Sequence, residues 1–403
     1  MPYKGGFLPG IYPIKDLRRS RIIKIATDVW EIEGYLSNNF FLKPPTCNIY
    51  VLRDEDMVLL LDTGTYPYYR NIILKILEKF RKEGAKELVL LQGHGHFDHV
   101  ANNDVIYETK YEKIRFLLPK IELSTIDLSY HWTHDFYDRE AYYDPYDLVP
   151  LKITGVLKIS NRFSRRLARF VLDKLIKFYF RGIKTMTEKA ELLTNENQIK
   201  KTYGDVEFFG WEIGRFFAIH DGTHTPGHIS LYDPKNKLFL TGDATVEINP
   251  AFFNSNLNNC IEMMGKFRSF AEQGFVEIAN DSHRSAIWAK ELSEKYKYKP
   301  LDPIQLVDIA RGKEECVRFF HTYERYFIAI KQVVLKILKK LGSATVSDIV
   351  EQIKYSNHPA VKMKVALKFP NIPSRLDVLV ACVLKENKIP HKKIGKKIVY
   401  SLK

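Results

Sequence analysis

The sequence predicts an α+β protein with a large N-terminal domain and a small basic one at its C-terminal end. Three observations carry that expectation. Between Ile22 and His283, short apolar runs that end in potential metal ligands alternate with amphipathic helical stretches. The 403 residues exceed one typical domain. Charge is also unevenly placed: residues 323–403 hold 17 Lys and Arg against 5 Asp and Glu, and residues 162–184 hold 8 against 1, within a total of +14. The rest of the chain is therefore net acidic. We place the large domain at 1–310, with an insertion at about 104–202, and the basic domain at 323–403.

The composition, 45% hydrophobic and 27% charged, is that of a soluble globular protein with a sizeable core. Cys47, Cys260, Cys316 and Cys382 are far apart and form no Cys-x-x-Cys pair, which points to free thiols in a reducing cytosol. Met1–Lys15 lacks the apolar core of a signal peptide, and no run of about 18 uncharged apolar residues suggests a membrane span. The expected location is cytoplasmic.

Taken in order, Ile22–Trp30 reads as a strand and Asn48–Leu52 with Met57–Leu61 as a hairpin. The hairpin leads into Asp62-Thr63-Gly64 and a helix over Tyr69–Lys82. Asp62 has two readings: a carboxylate that orients a metal-bound histidine, or a turn or cap aspartate. Leu88–Leu91 then delivers His94-Gly95-His96-Phe97-Asp98-His99. Four imidazole and carboxylate donors in six residues suit zinc or its first-row neighbours. In an extended segment His94 and His96 share one face while Asp98 and His99 diverge, a geometry able to serve two adjacent ions.

The next stretch is rich in aromatics and acids, from Tyr130-His131-Trp132-Thr133-His134 to Tyr142–Tyr146. Its histidines suit packing or a substrate wall better than metal. Arg162–Lys184 is a basic amphipathic helix that covers the domain or a dimer partner, or meets an anionic membrane surface. Short strands follow at Asp205–Phe209, Arg215–Ile219, His228–Tyr232 and Lys237–Leu240. Thr225-Pro226-Gly227-His228 sets a histidine after a rigid turn, and Thr241-Gly242-Asp243 sets an acid at a strand end. A buried ionised Asp243 needs a strong partner, which two divalent ions would supply. A helix over Leu257–Gln273 and a strand at Val276–Ala279 lead to His283. After a linker near Pro300–Pro303, helices at Phe327–Leu341, Thr345–Ile353 and Arg375–Glu386 and a basic hairpin at Ile389–Leu402 follow the order of a winged helix.

Asp62-Thr63-Gly64, His94-x-His96-x-Asp98-His99, Pro226-Gly227-His228, Gly242-Asp243 and His283 together resemble the ordered motifs of the metallo-β-lactamase superfamily, over about residues 20–290. The His-x-His-Phe-Asp-His run is similar to the glyoxalase II and N-acyl homoserine lactonase-like hydrolases. The resemblance implies an αββα sandwich with the metal site along one edge of its two sheets. It further implies two zinc ions, with iron or manganese as alternatives. His94, His96 and His228 would hold one ion; Asp98, His99 and His283 the other; Asp243 would bridge them. Gly93 stands where Thr or Ser is frequent in the family.

The chemistry expected of such a centre is hydrolysis by a hydroxide shared between the ions, with Asp98 passing a proton to the leaving group. A small acyl compound (lactone, thioester or lactam) is the favoured substrate. The alternatives are a nucleic-acid phosphodiesterase that uses the basic C-terminal domain, or an iron-dependent persulfide dioxygenase.

Overall fold

The computed structural model describes residues 22–34, 46–65, 67–138, 165–246, 249–251, 254–283, 309–358, 360–361, 368–369, 372–373, 376–395 and 397–402. The expectations for Met1–Lys15, Tyr142–Tyr146 and Pro300–Pro303 fall outside these residues.

Two seven-stranded sheets form the centre. The first runs in sequence order: β1 (Ile22–Ala26), β2 (Val29–Ile32), β3 (Ile49–Asp54), β4 (Met57–Leu61), β5 (Glu87–Leu91), β6 (Lys113–Pro119) and β7 (Glu191–Leu193). It is antiparallel up to the β3/β4 hairpin and parallel from β4 onward. The second comprises β8 (Ile199–Tyr203), β9 (Val206–Ile213), β10 (Phe216–His220), β11 (Ile229–Asp233), β12 (Leu238–Leu240), β13 (Ile278–Asn280) and β14 (Ala310–Arg311), with only β12/β13 parallel.

The apolar runs that mark β4 and β5 are uninterrupted because both faces of the sheet are covered. On β4, Met57, Leu59 and Leu61 face the second sheet, where Phe216, Ala218, Ile229 and Leu231 meet them. Val58 and Leu60 face outward onto Tyr69, Ile73 and Leu77 of α1 (Pro67–Lys82). This strict alternation is the period of two read through a doubly buried strand. The layers are helix, sheet, sheet, helix.

Between β6 and β7 lies the inserted segment. It holds short helical turns, a π-helical stretch at His131–Asp138 and α2 (Arg165–Tyr179). β6, which falls within the insertion expected at about 104–202, is an integral strand of the first sheet.

On the far side of the second sheet, α3 (Leu257–Glu272) and α4 (Lys313–Leu341) pack Phe267, Phe270, Phe319 and Phe320 onto Phe208 and Phe239. The sequence starts a separate domain at Tyr323, yet α4 passes through that point as one unbroken helix. Tyr323, Tyr326 and Phe327 belong to the same apolar cluster as the sheet. Beyond α4 come β15 (Ser343–Ala344), α5 (Val346–Lys354), a small two-stranded ribbon of β16 (Lys368–Phe369) and β17 (Ile372–Pro373), α6 (Leu376–Glu386), β18 (His391–Ile394) and β19 (Lys397–Ser401). β15, β19 and β18 form a three-stranded sheet in that order. Thr345 and Asp348 close a reciprocal capping box at the start of α5. Among the described residues, no helix is long and apolar enough to cross a membrane, and all four cysteines are buried and form no disulfide.

Candidate metal centre

Every predicted ligand lies on loops or short helical turns at one edge of the sandwich, where β4, β5, β12 and β13 end and β10 turns into β11. The sheets are stitched together at this edge. Ile229 N–H donates to Gly93 O at 2.9 Å, Asn48 N–H to Ser282 O at 2.6 Å and Tyr50 Oη–H to Asp281 O at 2.5 Å. These ties fix the ligand loops of one sheet against those of the other.

One group of donors consists of His94, His96, His224 and Asp243, all buried. His94 Nε2 is 3.0 Å from His96 Nδ1, which is 2.9 Å from His224 Nε2. Asp243 Oδ2 lies 3.3 Å from His224 Nε2 and 3.7 Å from His94 Nε2. A divalent ion with bonds of about 2.0–2.1 Å to four tetrahedral donors would separate those donors by roughly 3.3 Å. The observed spacings straddle that value, and three imidazoles with one carboxylate are a zinc-like donor set. The rings are prepared as neutral ligands. Burial, then His99, holds His94 well below the ordinary imidazole value, against Asp243; burial, then His224 and His131, does the same for His96. Burial lowers His224 to about 4, with Asp243 opposing. Asn249 fixes its tautomer: the Asn249 amide donates to the carbonyls of Asp243 and Ala244, so its Oδ1 accepts His224 Nδ1–H at 2.5 Å. That leaves the His224 Nε2 lone pair facing the cluster.

The second group is Asp98, His99 and His283, also buried. Asp98 Oδ2 is 3.3 Å from His283 Nε2, and Asp243 Oδ1 is 3.4 Å from His99 Nε2 and 3.5 Å from His283 Nε2. The two oxygens of Asp243 thus address different groups, one each. Both rings here are pushed upward against burial, His99 by Cys47, Asp62 and Asp243, and His283 by Asp243 and Asp98. Against its own burial, Asp243 is held well below the usual carboxylate range by His283, His99, His224 and His94. A cation at this group would supply the positive charge that the surrounding carboxylates favour there. His99 Nε2 is buried with no hydrogen-bond partner, consistent with a ligand atom. On these grounds the residues present fit a two-cation centre.

Asp62 behaves as the orienting carboxylate. It sits just past β4 with φ 61° and accepts from His99 Nδ1–H (2.6 Å), Gln92 Nε2 (2.6 Å) and Gly93 N–H (2.8 Å). His228, by contrast, is not in either group. Its Nδ1–H donates to Asp221 at 2.8 Å, and its Nε2 accepts the Asp243 N–H at 2.8 Å, so both ring nitrogens are engaged. His228 is a strut that sets the backbone of Asp243, and His224 occupies the ligand position expected for it. The sequence offers two histidines in His224-Thr225-Pro226-Gly227-His228. What separates them is that His228 abuts β11 and its carbonyl accepts the N–H groups of Asp221 and Gly222, while His224 stands four residues earlier on the loop. The partner carboxylate Asp221, which also accepts from Ser230 and Thr223, was missed with it.

Glu122 was missed as well. It opens the inserted segment, is fully buried, and its two oxygens accept the N–H groups of Gly95 and Gly227 at 2.8 Å each. It thereby clamps the His94/His96 loop to the His224 loop. The approach is so close that a Cβ at Gly95 would fall 2.6 Å from Ile126 N, and one at Gly227 would fall 2.4 Å from Ile121 Cγ2. His131 is buried with its ring 5.1 Å from that of His96, and His134 stacks on Tyr130 at 4.3 Å; neither joins a donor group.

An αββα sandwich that gathers His and Asp donors on one edge defines the class: a metallo-β-lactamase fold. The family model of the metallo-β-lactamase superfamily matches residues 42–154 and 170–301, more than half of the chain, and the protein belongs to that superfamily. Among solved structures, the chain is similar to a beta-lactamase domain protein from Burkholderia ambifaria (13% identity, TM-score 0.54, 97% of each chain covered). It is also similar to the stereoselective inverting sec-alkylsulfatase Pisa1 from Pseudomonas sp. (11% identity, TM-score 0.50). That match covers 91% of this chain and 50% of the sulfatase, so this chain spans about half the length of that enzyme. A search of curated proteins finds no match.

Proposed function

We propose that the protein is a dinuclear metal-dependent hydrolase of a small acyl substrate, a lactone, thioester or lactam. The observation that carries this reading is the division of labour on Asp243, whose Oδ2 faces His94 and His224 and whose Oδ1 faces His99 and His283. Bound cations, zinc by donor type with iron or manganese compatible, supply activation of water and polarisation of the scissile carbonyl. His94, His96, His224 and Asp243 would hold one; Asp98, His99, His283 and Asp243 the other.

The chain's own residues do the rest. Asp98, beside His283, is placed to hold a proton for the leaving group. Asp62 keeps His99 in one tautomer and orientation, and His228 with Asp221 keeps Asp243 in register. The inserted segment brings buried His131 up beside His96, with buried Trp132 next to His131, a wall suited to a small apolar acyl group. The C-terminal order of helix, strand, helix, helix and hairpin supports a winged-helix-like module, used here as a buttress against α3.

Elemental analysis of the wild type and Asp243→Ala tests the reading, paired with turnover of an acyl-lactone, a thioester and a single-stranded RNA. About two zinc ions per chain, lost together with acyl hydrolysis in the variant, is the expected result. A single iron with oxygen uptake and no hydrolysis would overturn it, and cleavage of RNA alone would move the substrate to phosphodiesters.

A further inference from the structure

Helix α2 is apolar on two opposite sides. Leu172 and Ile176 are buried against the protein, and just past the helix Phe180 packs on Phe97 at 5.3 Å, next to the metal loop. On the other side Phe170, Lys174 and Phe178 stand four residues apart and form one line along the helix. Phe170 is 58% exposed, Phe178 54% and Leu167, adjoining the same line, 46%. A surface helix ordinarily turns charge toward water on this side. Six of the 13 exposed large hydrophobic residues described fall between Ile121 and Phe178, so the inserted segment concentrates the protein's exposed apolar surface.

The cations on this face are arranged around the rings. Lys174 Nζ lies 5.4 Å from the Phe170 ring centroid and the Arg181 guanidinium 4.8 Å from that of Phe178, with Arg166 and Lys177 also exposed nearby. Within 165–181 Asp173 is the only acid, and it is paired with Ser129 and Lys177. A protein partner with an apolar groove would match the aromatic line but leave these cations facing a dry rim. Anionic headgroups above an acyl layer match both, because the rings enter the layer while long basic side chains stay at phosphate level.

We propose that the outer face of α2 docks the protein on an anionic lipid bilayer through Phe170 and Phe178, with Arg166, Lys174 and Arg181 engaging the headgroup phosphates. Docking on this face brings the inserted segment, and with it the wall beside His96, to the bilayer surface. The proposal stands independently of the hydrolase reading, because binding is measured without turnover.

The test is co-sedimentation of the full chain with phosphatidylcholine vesicles, with and without phosphatidylglycerol. Binding only to the anionic vesicles, weakening as salt rises, is expected. Phe170→Ser with Phe178→Ser should lower the partition coefficient by about tenfold or more. Lys174→Gln and Arg166→Gln should each lower it by about fivefold. All of these side chains are exposed, so melting temperature and metal content should stay at wild-type values and confirm that the variants fold. Absence of wild-type binding, or equal binding by the double-Ser variant, would overturn the proposal. So would concentration-dependent self-association that the double-Ser variant abolishes without any vesicle binding, which would assign the face to a second copy of the chain.

Discussion

Replacing the two histidines of the Pro-Gly turn one at a time separates ligand from strut. In His228→Ala, Asp221 loses its imidazole partner, whose Nδ1 lies 2.8 and 2.9 Å from its two oxygens, while keeping Ser230 and Thr223, and the buried N–H of Asp243 loses its acceptor. A hydrogen bond to a charged acceptor contributes about 1.5–3 kcal/mol, and a buried orphaned N–H costs about 1–3 kcal/mol. The metal-free protein should therefore lose roughly 3–5 kcal/mol, a fall in melting temperature of about 4–6 °C for a chain of 403 residues. Metal content at saturating zinc should stay that of the wild type, since every donor remains. His224→Ala should show the reverse pattern. The metal-free fold loses the bond to Asn249 and the Nε2 contacts with His96 and Asp243, about 1–2 kcal/mol, but one cation of about two goes with the Nε2 donor. Thermal melts of chelated protein and elemental analysis of reloaded protein give both readouts. If His228→Ala loses an ion while its chelated form melts like the wild type, the assignment of the two histidines is reversed and the reasoning fails.

Three further outcomes are expected. Glu122→Gln leaves one of two backbone N–H groups facing an amide donor; it should cost about 1–3 kcal/mol in thermal melts, and Glu122→Ala should cost more. Glu386, from α6, accepts the N–H groups of Leu257 and Asn258 at the start of α3, yet burial raises its carboxyl above the ordinary 4.5 despite those bonds. A raised acid stabilises the fold fully only below its unfolded value and loses that contribution as pH climbs through the folded value. The wild type should therefore gain stability relative to Glu386→Gln as pH is lowered from neutral toward 4.5, and urea melts in which it loses ground would contradict this. Finally, removing the cations with a chelator should lower stability by about 2.7 kcal/mol for each site held at a hundredfold excess of metal over its Kd, a loss that calorimetry reads directly.

Most of the site was legible because its ligands sit where strands must stop. Asp62, His94, Asp243 and His283 each follow an apolar run whose both faces are covered, so a polar residue there is conspicuous. The αββα order followed from the same motifs. Two kinds of information were hidden. Spacing alone cannot say which histidine of a Thr-His-Thr-Pro-Gly-His turn points inward, since a β-ladder that begins one residue later decides it. Nor does spacing disclose a carboxylate such as Glu122, whose partners are backbone N–H groups far away in the chain. β6 was overlooked because Lys113, Arg115 and the helical turns beyond it broke the apolar rhythm that marks β5. The boundary at Tyr323 came from charge, and charge reports on the solvent-facing side of α4 while its inner side continues the core without a break.

That unbroken helix has a consequence for where the chain can be divided. Its 29 residues span about 43 Å with no proline or glycine inside. It starts one residue after β14, which pairs with β13, the strand that leads to His283. It ends at Gly342, next to β15 of the C-terminal sheet. Along the way its inner face serves first the sandwich and then α5 and α6, with Val334 and Leu338 as buried in the second role as Phe319 and Phe320 are in the first. A cut before the helix strips the second sheet of its cover; a cut after it strips the start of α3 of Glu386. No cleavage between residues 310 and 342 yields two finished proteins.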